Sequence, residues 1–172
     1  ASPYSVGIAG TFASPAASEL LTSATLVLAF GASLNRFTSY GGDMFGKARI
    51  IRIDDKPAEF GRYYRHDIEV VADARLAAAQ IADELERRNH RVTGYRIPET
   101  AAQIAGWRIE DSFTDRSSAS GIDPRTLMSR LERMIPRERT LVVDVGHFMD
   151  FPIAHLSVPD PRAFVWPVEY TS

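Results

Sequence analysis

No cysteine occurs among the 172 residues, which removes disulfide frameworks, thiolate zinc sites and cysteine nucleophiles. No apolar run approaches the roughly 20 residues that span a bilayer. The opening Ala1-Ser-Pro-Tyr4 lacks the charged-then-apolar pattern of a secretion signal. A membrane partner is therefore not expected, and the cytoplasm is the expected compartment. The chain also lacks an initiating methionine, as a processed or excised polypeptide would. Charge of one sign is scarce: 20 Lys and Arg against 22 Asp and Glu leave a net charge of -2, which gives no reason to expect nucleic acid. Gly-x-Ser-x-Gly, Walker and His-Glu-x-x-His patterns are missing. His147 and His155 are separated by Pro152 and have no carboxylates in register, so no metal site is expected.

What is present is an ordinary globular composition, 45% hydrophobic, with length for one good-sized domain or one and a half small ones. Three apolar runs each end in small or acidic polar residues: Leu26–Phe30 before Gly31-Ala-Ser33, Ala48–Ile53 before Asp54-Asp55, and Thr140–Val145 before Gly146-His147. Such runs read as buried parallel strands, whose carboxyl ends are where open α/β sheets bind ligands. Asp67–Ala72 reads as a further strand. Ser14-Pro15 predicts a helix start, with Ala17, Leu20, Leu21 and Ala24 at helical spacing. Tyr40-Gly-Gly-Asp43 is turn chemistry. Ala74–Arg88 is the strongest helix, with Leu76, Ala79, Ile81 and Leu85 mostly on one face. The expected fold is α/β: a parallel sheet with flanking helices, followed by the truncated start of a second α/β domain.

Residues 89–121 lose the periodicity and read as a linker, with a short helix from Glu99 to Ile104 or beyond. Asp123-Pro124 then caps a helix on which Leu127, Leu131 and Met134 keep step. The tail from Phe148 to Ser172 is proline-rich, holds one extended piece at Ala163–Trp166, and ends at Glu169-Tyr-Thr-Ser172 without a closing helix.

Gly7-Ile-Ala-Gly10, Glu19-Leu-Leu21, Leu26-Val-Leu-Ala-Phe-Gly31 and Ile51-Arg-Ile-Asp54-Asp-Lys-Pro57 succeed one another in an order that resembles the middle domain of thiamine-diphosphate-dependent enzymes of the acetolactate synthase type. Asp67–Asp73 resembles that family's next strand and helix start. Arg139-Thr-Leu-Val-Val-Asp144-Val-Gly-His147 resembles the opening of its cofactor-binding domain. Thr25 departs from the pattern, which usually has Asp before the strand. The resemblance divides the chain into the C-terminal half of a middle domain (1–88), a linker (89–121) and the beginning of a thiamine-diphosphate-binding domain (122–172). It implies a parent carboligase or decarboxylase, a lyase or transferase acting on a small 2-oxo acid. Thiamine diphosphate and Mg²⁺ would be its cofactors, FAD an optional one, and a homodimer or homotetramer its assembly. The first domain's activating glutamate and the "Gly-Asp-Gly … Asn" segment that holds Mg²⁺ and the diphosphate are absent, so this chain by itself is expected to hold no cofactor and to have no catalytic residue and no activity of its own.

The resemblance also assigns sites. Gly146 and His147 fall where the family meets the cofactor diphosphate: glycine allows close backbone approach, and an imidazole donates to a phosphate oxygen. Gly31, Ser33 and Arg36 fall where some relatives bind FAD or another ADP-containing ligand, with Asp54 placed to accept from a ribose hydroxyl. Two other readings stay open. The chain could be a stand-alone nucleotide-binding module using Gly31 and Asp54, or a structural spacer that binds nothing.

Overall fold

The computed structural model describes residues 2–57 and 63–166; Gly61, Pro167 and Glu169–Ser172 lie outside them. The chain forms two compact units, Ala1–Gly106 and Trp107–Ser172. The division falls inside the stretch 89–121. Its first part folds back onto the first unit, where Tyr95 donates its hydroxyl to the Tyr4 carbonyl at 3.4 Å and Gln103 donates to Glu19 at 3.2 Å.

The first unit is built on a parallel sheet of β1 (Leu26–Phe30), β2 (Arg49–Asp54) and β3 (Ile68–Val71), in the order β1-β2-β3. The register sets Leu28 beside Ile51 and Ile68, and Phe30 beside Ile53 and Val70. Because successive side chains alternate between faces, Val27, Ala29 and Ile50 share the other face. There they pack with Leu34, Met44 and Phe45 from the β1–β2 connection, Tyr64 from the β2–β3 connection, and Leu21. The face that carries Leu28 and Phe30 is less covered: Leu26 is 53% exposed and Ile68 42%.

The flanking helices start where side chains cap them. The Ser14 hydroxyl accepts from the Ala17 amide at the head of α1 (Pro15–Thr22). The Asp73 carboxylate accepts from Leu76 N at the head of α2 (Ala74–Arg87). α2 presents a different face from the one its leucines suggest: Ala77 is buried, while Leu76 and Leu85 are 53% and 43% exposed. Its inner line runs through Ala74, Ala77, Ile81 and Glu84, where small residues let the helix lie close to β2. α3 spans Pro98–Gly106.

In the second unit α4 (Pro124–Met134) is capped by Asp123, whose carboxylate accepts from Arg125 N at 2.9 Å. β4 is only Leu141–Val142, paired in parallel with β5 (Phe164–Val165). The expected buried strand over Thr140–Val145 is thus shortened. With a single neighbouring strand, Val142 is left 65% exposed while Val143 is buried. A helix the sequence did not suggest, α5 (Asp150–His155), comes after a 3-10 turn at His147–Met149. Pro152 fits because it sits in the first turn, where no intrahelical donor is required.

Candidate functional site

β1 and β2 end level, and the Gly31 amide donates to the Ile53 carbonyl at 2.8 Å. Gly31 adopts φ +60°, and a Cβ there would meet no heavy atom within 4 Å, so its α-carbon faces open space although its N–H is committed to the sheet. Asp54 lies beside it at the end of β2 and is 8% exposed. Its carboxylate accepts from Arg52 Nη2 at 2.7 Å and from the Lys56 amide at 3.1 Å. The Arg52 hydrogen bond, then the Lys56 amide, outweigh burial and hold this carboxyl below the usual carboxylate range. Asp54 is therefore an ionised acceptor already engaged by two donors. A ribose hydroxyl would have to share it.

Ser33 accepts from the Asn35 side-chain amide at 3.0 Å. The Asn35 side-chain oxygen in turn accepts from Phe37 N and Thr38 N at 2.9 and 3.1 Å, a local turn that short amide side chains favour. This turn carries Arg36 and Phe37 to the surface. Arg36 lines a cleft of about 530 Å³ with Thr11, Phe37, Tyr40 and Gly41; among the described residues its walls do not include Gly31, Ser33 or Asp54. Thr11 reaches the cleft because its amide donates to the Phe37 carbonyl at 2.7 Å. Gly10 makes that approach feasible: at φ +85° a Cβ would lie 1.8 Å from the Phe37 oxygen. Tyr40 holds φ +53°, an uncommon conformation for a bulky residue.

The structure thus brings Gly31 and Asp54 together, gives Ser33 a supporting bond, and sets Arg36 in a cleft with Thr11, Phe37 and Tyr40. Sequence reasoning does not single out the last three. Their only signals are the glycines at 7, 10, 41 and 42, which mark tight backbone but not what it encloses.

In the second unit Gly146 takes φ +145° and ψ 174°, a region held without strain only by glycine. A Cβ there would press on the Phe148 ring at 2.6 Å. His147 comes next, exposed, at the head of the 3-10 turn. A backbone that only glycine can adopt, next to an exposed imidazole, fits the approach of a phosphate group. Among the described residues no three His, Asp or Glu side chains gather as metal ligands. No helix of the described residues is long and apolar enough to cross a membrane.

Residues 1–81 match the family described as thiamine pyrophosphate enzyme, central domain. The sulfoacetaldehyde acetyltransferase of Castellaniella defragrans is 26% identical over 184 residues, covering 94% of this chain and 31% of the relative. The catabolic acetolactate synthase of Raoultella terrigena is 28% identical over 148 residues, covering 83% and 25%. The large subunit of acetolactate synthase isozyme 3 from Escherichia coli K12 is 22% identical over 161 residues, covering 93% and 28%. The chain spans no more than about a third of the length of these curated relatives.

Proposed function

We propose, on the premise that residues 1–81 belong to the central domain of thiamine pyrophosphate enzymes of the acetolactate synthase type, that this chain is part of a thiamine-diphosphate-dependent carboligase or decarboxylase acting on a small 2-oxo acid. The observation that carries the reading is the family match, laid over a parallel sheet whose first two strands deliver Gly31 and Asp54 side by side. In this reading 1–88 are the second half of the central domain, 122–172 open the cofactor-binding domain, and 89–121 join the two. Thiamine diphosphate, bound with Mg²⁺, would supply the electron sink for making or breaking a bond beside a carbonyl. This chain's contribution is to orient: Gly146 lets backbone approach the diphosphate, and His147 donates to one of its oxygens. The parent is a homodimer or homotetramer of the cytoplasm, and the 172 residues alone have no turnover.

Purified chain supplied with thiamine diphosphate, Mg²⁺ and pyruvate is expected to yield neither acetolactate nor CO₂. A polypeptide that also carries the glutamate-bearing domain and the "Gly-Asp-Gly … Asn" segment should yield one of them. Turnover by the 172 residues would overturn the assignment of inactivity; silence from the longer polypeptide would sink the enzyme reading. The cleft around Arg36, Phe37 and Tyr40 favours a second reading, an ADP- or FAD-binding role for the first unit. Calorimetric titration with FAD and with ADP tests it, and Arg36→Ala is expected to weaken binding about tenfold, the loss of one charge-assisted phosphate contact. No binding of either ligand would leave the first unit as scaffold, and equal affinity in the variant would put the ligand away from Arg36.

A further inference from the structure

Apart from the candidate sites of the two units and their caps, one polar cluster serves neither. It gathers around α4 of the second unit. Arg139, just before β4, and Ser157, just after α5, stand eighteen positions apart, yet Arg139 Nε donates to the Ser157 carbonyl at 3.1 Å. Glu132 on α4 binds both: its carboxylate takes Arg139 Nη2, the Ser157 hydroxyl and, at 3.2 Å, the Ser157 amide. Arg139 also donates through Nη1 to the Pro136 carbonyl at 2.9 Å, which ties it to the end of the same helix. One turn earlier on α4, Ser129 is 5% exposed, and its hydroxyl meets His155 Nδ1 at 2.9 Å.

Ser129 and Glu132 are three residues apart and so share a face of α4. Together they grip both ends of one excursion of the chain. Between Arg139 and Ser157 run β4, the Gly146 bend, the 3-10 turn at His147–Met149 and α5, the last two continuous in sequence. Fixing His155 and Ser157 therefore fixes the far end of the helical segment whose near end is His147. Closing such a loop at its base removes the conformational freedom that would otherwise blur the position of its tip.

We propose that Ser129, Glu132 and Arg139 are positioning residues, a basal clamp that holds residues 140–156 closed and sets the place of the Gly146–His147 turn. For its functional consequence this rests on the diphosphate role proposed above for that turn; for its mechanical content it does not. Glu132 is suited to the task. Burial alone would raise its carboxyl, but the Ser157 hydroxyl and amide and the Arg139 charge outweigh that and hold it below the ordinary value, so the clamp is ionised at neutral pH.

The test is amide hydrogen exchange on the 172-residue chain and its variants Ser129→Ala, Ser129→Thr, Glu132→Gln and Glu132→Ala. Exchange at residues 143–149 is expected to quicken about tenfold in Ser129→Ala and in Glu132→Gln, the loss of roughly one net hydrogen bond. The middle of α4 should keep its protection, and Ser129→Thr, which retains the hydroxyl, should restore the parent rate. Unchanged exchange at 143–149 in the folded Ser129→Ala and Glu132→Gln variants would overturn the clamp. So would acceleration spread evenly over α4 and the turn, because that is what a merely structural role gives. Should Glu132→Ala fail to fold, the two milder variants decide. Titration with thiamine diphosphate and Mg²⁺ of the longer polypeptide that carries the "Gly-Asp-Gly … Asn" segment, with and without the same substitutions, separates the two layers of the proposal. Quickened exchange in a protein that never bound the cofactor refutes the diphosphate role and leaves the clamp standing. Binding by the parent that is unchanged in a variant with quickened exchange refutes the link between clamp and site.

Discussion

Arg52 is an arginine in the central strand of a small parallel sheet, 1% exposed, and it is held there by Asp54 two positions along. Asp54→Ala removes a buried carboxylate that accepts from both the Arg52 guanidinium and the Lys56 amide, and is expected to lose about 2 kcal/mol in urea denaturation of the first unit, the loss of hydrogen bonds to a charged acceptor. The pair also fixes a pH dependence. The folded carboxyl titrates below its ordinary value of 3.8, so its contribution is complete above that value and is lost as pH falls beneath it. His155 has the opposite chemistry. Burial lowers its pKa from 6.5; the Arg125 charge adds to that, while Glu110 and Asp123 oppose it, with the Phe113 ring edge-on at 5.7 Å. A histidine whose folded pKa is lowered contributes fully above 6.5, and that contribution fades as pH falls from 6.5 toward the folded value. A stability–pH profile of His155→Asn should be flatter in that window than the parent's; identical profiles would show that His155 does not set it. At Gly10 the limit is steric. Gly10→Ala puts a methyl 1.8 Å from the Phe37 oxygen at φ +85° and is expected to cost at least about 2 kcal/mol in thermal unfolding.

At the scale of elements, caps and β-branched runs are legible in the residues themselves. Ser14, Asp73 and Asp123 each head the helix they predict, and Leu26–Phe30 and Ile68–Val71 are strands because β-branched and aromatic side chains suit a pleated surface. Asp123→Ala, which removes an acceptor for the Arg125 and Arg116 amides, should destabilise α4 by roughly 1–2 kcal/mol; circular dichroism melts of parent and variant would measure it. What the pattern conceals is which side of α2 turns inward. Counting leucines favours Leu76 and Leu85, whereas close packing selects the alanine line through Ala77. α5 is hidden because Pro152 in a proline-rich tail looks like a breaker, and only its first-turn position makes it harmless. The candidate sites divide in the same way. Gly31 and Asp54 can be read from the ends of their runs. The partnership of Arg36 with Thr11 and Tyr40 depends on the Gly10–Phe37 approach across a long loop, and no local pattern encodes it.

At the scale of the whole molecule, the first unit leaves a row of apolar side chains exposed on one side of its sheet. Leu28, Phe30, Ile68 and Val70 are each more than a third exposed on one side of the sheet, while parallel sheets are ordinarily covered on both. The native chain is expected to bind an apolar reporter dye, and Leu28→Thr with Val70→Thr, which keep strand preference, should lower that fluorescence severalfold. Undiminished fluorescence would place the dye elsewhere. The strand order explains the imbalance. Strands laid down as β1-β2-β3 advance in a single direction, and right-handed crossovers then put successive connections on the same face. Leu34, Met44, Phe45 and Tyr64 all pack on the face of Val27 and Ala29 for that reason. Such a winding contains no reversal, and reversal is what opens a crevice at the strand ends of doubly wound sheets. Only a strand laid against the free edge of β1 would create one, and its mouth would fall at Gly31. The glycine that turns out of β1 is thus the hinge of the topology: whatever pairs with that edge decides whether the sheet has a ligand-binding seam at all.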